Sequence, residues 1–268
     1  MAYPNTIYGK YGWEKVTTSA QKHPLGTRME LRDGRVFRYA RAAPTALLDS
    51  GKLQMQKAST ASQLKDLAVS AAAKGATAVT ITVAGAALTA NQYADGMIYV
   101  NDQGADSASG EGQVYVIKSH PAISTSTAGV ITLDEEDGVA DQAWTTNTQV
   151  GLRKNLFAEV EEWDASDIDG IALGVPPVRV SKTYYFWCQT WGRAAVLTGD
   201  TVILGEVVKP AASKMGTTAH GTVDGAVYTV KRETKTVPSQ QEALPTVGIV
   251  DTVAASTEYS LVFLTLAP

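Results

Sequence analysis

The sequence predicts a mainly β protein, with sandwich or barrel-like modules built from short antiparallel strands, an extended N-terminal arm and little helix. Three observations carry this reading. The 268 residues include 38 Ala, 30 Thr and 23 Gly against 4 Phe, a small and β-branched composition that suits thin, tightly paired sheets. Nearly every apolar segment alternates with period two, or is short and closed by Gly, Pro, Asp or Ser. The chain is long enough to bury a core without staples, and Cys188, its single cysteine, excludes an intrachain disulfide.

Residues 1–24 hold Tyr3, Tyr8, Tyr11 and Trp13 among glycines and hydroxyl residues with no sustained period, so they are expected to form the arm. Several aromatics with little periodicity cannot bury themselves, and the arm must lie either on its own body or on a neighbouring subunit. These four residues are the candidate contacts with a neighbouring subunit or another partner. Next, Arg28-Met-Glu-Leu-Arg-Asp33-Gly34-Arg-Val-Phe-Arg-Tyr-Ala-Arg41 predicts a hairpin with Asp33-Gly34 as a two-residue turn. Its arginines could grip phosphate, but on exposed strand faces arginine more often solvates and protects an edge.

Residues 59–75 read equally well as an alanine-rich helix ending at Gly75 or as a strand turning at Lys74-Gly75, and the alternating strand Ala76–Val83 directly after that turn favours the hairpin. Met97–Asn101 and Gln113–Lys118 are strands flanking a long loop of small turn-formers over 102–112. Val130–Leu133 starts another. Gly174-Val-Pro176-Pro177 marks the expected boundary between a β-rich domain over 25–173 and a C-terminal sandwich or barrel-like domain over 174–268. Beyond it lie Lys182–Trp191, Ala194–Leu197, Thr201–Val208, Ala226–Lys231, Thr246–Val250 and Tyr259–Leu266, each short and bounded by turn residues. In the aromatic strand, Tyr185, Trp187, Gln189 and Trp191 share one face, while Tyr184, Phe186 and Cys188 share the other. No repeat of fixed period is present.

The net charge of −4 is unevenly placed: residues 1–50 carry 8 basic and 4 acidic groups, residues 101–170 carry 3 basic and 14 acidic. Both read as solvated faces, or as complementary contacts between subunits or with a charged partner. A pI near 5.4 argues against a general nucleic-acid binder. The N-terminus lacks the basic and apolar regions of a signal peptide, and no apolar run reaches the ~18 residues that span a bilayer, so a soluble protein made in the cytoplasm, with no membrane partner, is expected.

The residues offer little chemistry. His23, His120 and His220 are far apart, neither H-E-x-x-H nor C-x-x-C occurs, and no metal or other cofactor is expected. Cys188 sits among aromatics with no nearby His and reads as a core residue. The nucleophile elbow, the phosphate loop and the dinucleotide fingerprint are all missing. Asp164–Gly170 is superficially like a calcium loop but lacks the required acids, with Ala165 and Pro176 in their places, which leaves at most a weak site. A non-enzymatic protein follows.

Leu25-Gly-Thr, Asp33–Tyr39, Ala90-Asn-Gln-Tyr-Ala-Asp-Gly96, Gly112–His120, Gly174-Val-Pro-Pro and Tyr184-Tyr-Phe-Trp-Cys-Gln-Thr-Trp-Gly192, taken as a set, resemble a family of tailed-phage virion structural proteins, and the C-terminal run is similar in rhythm to head-decoration (cement) proteins. The resemblance implies a capsid decoration protein on the outside of the phage head. It would act as a homotrimer that bridges adjacent copies of the major capsid protein, without contacting nucleic acid directly. The alternatives are another virion component, such as a head-fibre or tail protein, or a carbohydrate-binding module or hydrolase.

Overall fold

Alternating apolar positions closed by turn residues generate strands throughout. The computed structural model describes residues 6–56, 61–101, 110–134, 138–139, 143–164, 170–211, 224–229 and 245–268. Contacts divide the chain into two compact units, residues 59–156 forming the second and the segments on either side of it together forming the first.

The first unit contains β1 (Thr6–Tyr8), β2 (Arg28–Glu30), β3 (Val36–Arg41) and β4 (Gln54–Gln56) from its leading segment. The second contains β5 (Leu67–Ala68), β6 (Ala78–Thr82), β7 (Met97–Val100), β8 (Val114–Ser119), β9 (Ala128–Leu133) and β10 (Gln149–Arg153). The first unit then resumes with β11 (Val160–Glu162), β12 (Ala172–Gly174), β13 (Tyr185–Leu197), β14 (Val207–Pro210), β15 (Val227–Thr229), β16 (Gly248–Val250) and β17 (Tyr259–Thr265). Among the described residues the only helical pieces are single 3-10 turns at Trp13–Lys15 and Ala61–Gln63. The mainly β expectation holds, and of the two readings of residues 59–75 the described part takes the strand and hairpin, with Val69 bridged to Ile81 across the Lys74-Gly75 turn.

In the first unit an eight-stranded sheet runs β1-β2-β3-β13-β17-β16-β14-β15, and a three-stranded sheet runs β11-β4-β12. Strand β13, thirteen residues long, lies at the centre, paired along its first half with β3 and along its second with β17. The sequence divided this stretch into Lys182–Trp191 and Ala194–Leu197, but Gly192, at φ 84°, and a register shift between Gln189 and Trp191 let one strand continue from one partner to the other. The boundary expected at 173/174 is not where the units divide. Val175 bridges Gln189, and Val180 bridges Leu48, so the Pro176-Pro177 segment bends within the unit.

In the second unit the sheet order is β5-β10-β7-β8-β9-β6, and the Val69–Ile81 bridge brings its two edges together around a core that includes Ile81, Tyr93, Ile98, Tyr115, Ile117 and Trp144.

One local device recurs in both units. Four-residue turns are closed by bonds from Ala76 N to Ala73 O (3.0 Å), Gln92 N to Thr89 O (3.1 Å), Thr127 N to Ser124 O (3.2 Å), Tyr184 N to Ser181 O (3.2 Å), Glu206 N to Ile203 O (3.2 Å) and Glu258 N to Ala255 O (3.2 Å). In each the third residue has positive φ (Gly75, Asn91, Ser126, Thr183, Gly205 and Thr257), and the second does not, as in type II turns. Just before each turn stands a bridging residue, and the bridges Leu88–Ile123 and Val202–Ala254 join two such turns directly. Their spacing along the chain is irregular, so no sequence period announces them.

The Asp33-Gly34 hairpin forms between β2 and β3, but with a three-residue loop. Leu31 N bonds Arg35 O (3.0 Å), Gly34 N bonds Leu31 O (2.9 Å), and only Gly34 takes positive φ (81°). That is a turn followed by a glycine bulge, which needs one left-handed residue where the expected two-residue turn needs two.

Candidate interaction surface

Of the two placements expected for the N-terminal segment, its described residues take the first and lie on their own unit. Strand β1 runs parallel to β2, with Ile7 opposite Met29. Further on, Thr18 exchanges two hydrogen bonds with Tyr185, 3.0 and 2.8 Å, at the part of β13 that β17 leaves unpaired. Between these anchors the chain crosses the face of β2, β3 and the start of β13. That face is an apolar cluster of Met29, Leu31, Phe37, Tyr39 and Trp187, with Ile7, Leu25 and Tyr185 packed against it. His23 caps it, its ring 5.2 Å from Tyr39 and 5.5 Å from Trp187, and Lys22 N donates to Tyr39 Oη at 3.1 Å. Burial lowers the pKa of His23 below its usual value.

A 3-10 turn in this covering segment directs Glu14 inward and Trp13 outward. Glu14 is only 3% exposed, accepts from Gly12 N at 2.6 Å, and meets Arg35 at 3.8 Å, which ties the segment to the β2–β3 hairpin. Tyr8, Tyr11, Trp13 and Val16 remain exposed, at 80%, 56%, 45% and 54%. Arg32 stands over the Tyr11 ring at 5.8 Å. Trp13 and Val16 border a cleft of about 330 Å³ whose other walls include Ile7, His23, Tyr39 and Trp187. Three of the four expected contact residues are thus exposed on the covering segment and its strand, with Tyr8, next to the inward Ile7, on the opposite face from the cleft that Trp13 borders; Tyr3 lies outside the described residues.

The same sheet carries a second apolar surface that the sequence reading did not single out. Phe263 is opposite Ile249, and Ile249 is opposite Val207, so one row crosses β17, β16 and β14. Their neighbours Val262, Leu264, Val250 and Val208 belong to the core, which places the row on the other side of the sheet. Its members are 37–43% exposed, and Trp191 packs edge-on against Phe263 at 5.6 Å. The signal was available, since Ser260-Leu-Val-Phe-Leu-Thr-Leu266 is apolar at positions where a solvated strand face would be polar. In the second unit, Met97 and Val116 are paired across β7 and β8 and both are exposed, as is Val114.

The groups with chemical potential are occupied in packing. Cys188 is fully buried, and burial pushes its thiol pKa well up, away from the reactive thiolate. His120 accepts from Tyr93 N at Nε2 (3.0 Å) and faces Pro121 O through Nδ1 (2.8 Å), an arrangement that places the ring proton on Nδ1. The hairpin arginines make local contacts: Arg35 bonds Asp33 at 2.8 Å, Arg41 lies over Tyr185 at 5.7 Å, and Arg38 donates to Gly26 O at 3.3 Å. Among the described residues no three His, Cys, Asp or Glu side chains gather as metal ligands, and no helix is long and apolar enough to cross a membrane. Most of the Asp164–Gly170 turn and His220 lie outside the described residues.

No protein-family model, curated protein or solved structure matches the chain.

Proposed function

We propose that the chain is a structural virion protein: a capsid decoration protein that binds the outside of an assembled phage head as a homotrimer and stabilises it by bridging major capsid subunits. What supports the reading, beside the sequence resemblance, is the number of separate exposed apolar and aromatic surfaces held on ordered backbone. The exposed aromatics Tyr8, Tyr11 and Trp13 and the row at Val207, Ile249 and Phe263 lie on one unit, and Met97, Val114 and Val116 lie on the other. A bridging protein needs several docking surfaces, and pre-ordered ones lose little conformational entropy when they dock.

The test uses purified full-length chain and expanded capsids of the phage that encodes it. Saturable binding, a rise in the heat or force resistance of the shell, and weak binding to the free capsid subunit are expected, because a site made of several subunits exists only in the lattice. A chain that neither binds nor stabilises such shells overturns the proposal. The aromatic cleft invites a second reading as a glycan site, but Tyr39 and Trp187 are 3% and 6% exposed, which leaves Trp13 alone as a stacking platform.

A further inference from the structure

We propose that the cleft between the N-terminal segment and its own sheet binds a small aromatic carboxylate. The inference goes beyond the capsid reading and does not depend on it. The cleft, of about 330 Å³, lies within the first unit, at the small end of ligand sites, and suits a molecule of one or two rings. Its apolar walls are Ile7, Trp13, Val16 and Trp187. Trp13 is 45% exposed and Val16 54%, so much of this wall is wet, and a flat apolar body seated against it removes that surface from water.

The polar part of the lining carries one sign. Lys22 is the single lining residue with a fixed charge; it is exposed and makes no ion pair among the described residues. No Asp or Glu lines the cleft, and the acids nearby are engaged elsewhere: Glu14 meets Arg35 at 3.8 Å, Asp33 bonds Arg35 at 2.8 Å, and Glu30 bonds Arg28 at 2.8 Å. Tyr39 adds a hydroxyl with donor capacity to spare. Its Oη accepts from Lys22 N at 3.1 Å, while its own proton faces only Thr18 Oγ1 at 3.4 Å, a hydroxyl that itself donates to Ala20 O at 2.8 Å. A separation of 3.4 Å is long for O–H···O. Neither ring nitrogen of His23 has a hydrogen-bond partner among the described residues. A cation and a hydroxyl donor beside apolar walls, with no acid among them, match a carboxylate joined to a flat ring. A sugar would need polar partners along its whole body.

The site is built before a ligand arrives. Strand β1 is paired with β2 at Ile7, and Thr18 exchanges bonds with Tyr185, so both ends of the segment that carries Trp13 and Val16 are fixed. Tyr39 and Trp187 stand on β3 and β13. Binding therefore loses little free energy in ordering the protein.

Calorimetric titration of the full-length chain with indole-3-acetate tests this. One molecule per chain is expected, with Kd ~100 μM, and the neutral indole-3-acetamide, which keeps the ring and loses the charge, should bind ~10-fold more weakly. Trp13→Ala should weaken both ligands ~10-fold. Lys22→Gln should weaken the acid ~5-fold and leave the amide unchanged, a split that a general disturbance of the segment does not produce. No saturable binding up to about 5 mM, an amide that binds as tightly as the acid, or variants that bind like the wild type would overturn the proposal. Shell binding is measured separately, so a failed titration removes this inference and leaves the capsid reading standing.

Discussion

The two halves of the eight-stranded sheet solve the same problem differently. At the β2–β3 end, the face bearing Phe37, Tyr39 and Trp187 is roofed by residues 6–23 of the same chain, and these rings are nearly inaccessible. At the β17–β16–β14 end, Phe263, Ile249 and Val207 occupy alternating positions with no such roof among the described residues, and each is more than a third exposed. An apolar strand face is thus not by itself evidence of a core or of a binding surface. What crosses over it decides, and here a short N-terminal excursion turns one half into interior and leaves the other as surface.

Removing the roof should have the largest effect. Deleting residues 1–24 is harmless if they are a detached arm, with residues 25–268 folding unaided. Their contacts with Met29, Phe37, Tyr39 and Trp187 instead predict a loss of ~3 kcal/mol or more, measurable by denaturant unfolding. A truncated chain as stable as the intact one would erase the distinction between the halves.

Single substitutions sharpen it. Trp187→Ala, in the roofed half, should cost ~3–5 kcal/mol, whereas Phe263→Ser, in the bare half, should cost the isolated chain under ~1 kcal/mol, mainly through its edge contact with Trp191. Equal costs in thermal or chemical unfolding would mean that the bare row is covered in solution.

The smallest effect is a pH dependence confined to the roofed half. Burial over Tyr39 and Trp187 lowers the pKa of His23 from 6.5, so below that pH the unfolded chain takes up a proton that the folded chain resists. The contribution to stability is complete above pH 6.5 and is lost as the pH falls through the lowered folded-state value. His23→Gln should flatten this part of the stability profile between about pH 7 and about pH 5, and an unchanged slope would show that the ring is solvated.

Local patterns were legible in the sequence where one residue type forces one conformation. Gly34 and Gly75 marked hairpins, the alternation in 76–83 gave β6, and Tyr259–Leu266 gave β17 almost to its ends. The hairpin loop at Asp33-Gly34 was one residue longer than read, because a glycine bulge and a two-residue turn share the same dipeptide. Asn91, Ser126, Thr183 and Thr257 hold the same positive φ as the glycines with less telling side chains, so their turns were hidden. Long-range choices were not legible at all. Nothing near Pro176-Pro177 reveals that Val175 bridges Gln189, nor that β3 pairs with a strand some 150 residues later. Of the candidate site, Tyr8, Tyr11 and Trp13 are legible from composition, and the structure adds that they are exposed on a segment bonded to its own sheet. The row at Phe263 went unnoticed because its exposure depends on where a distant segment stops.

The order of the units along the sequence has a consequence for synthesis. Residues 59–156 are contiguous, and every strand of their sheet is synthesised before β13. The first unit has by then offered only β1 to β4, and β3 still lacks its central partner. During translation the inserted unit can therefore finish folding while the stretch that encloses it waits, with Phe37 and Tyr39 already made and Trp187 not yet emerged. The host segment spends that interval with a half-built apolar face, and this is the period in which chaperones or premature pairing with another nascent chain would act on it.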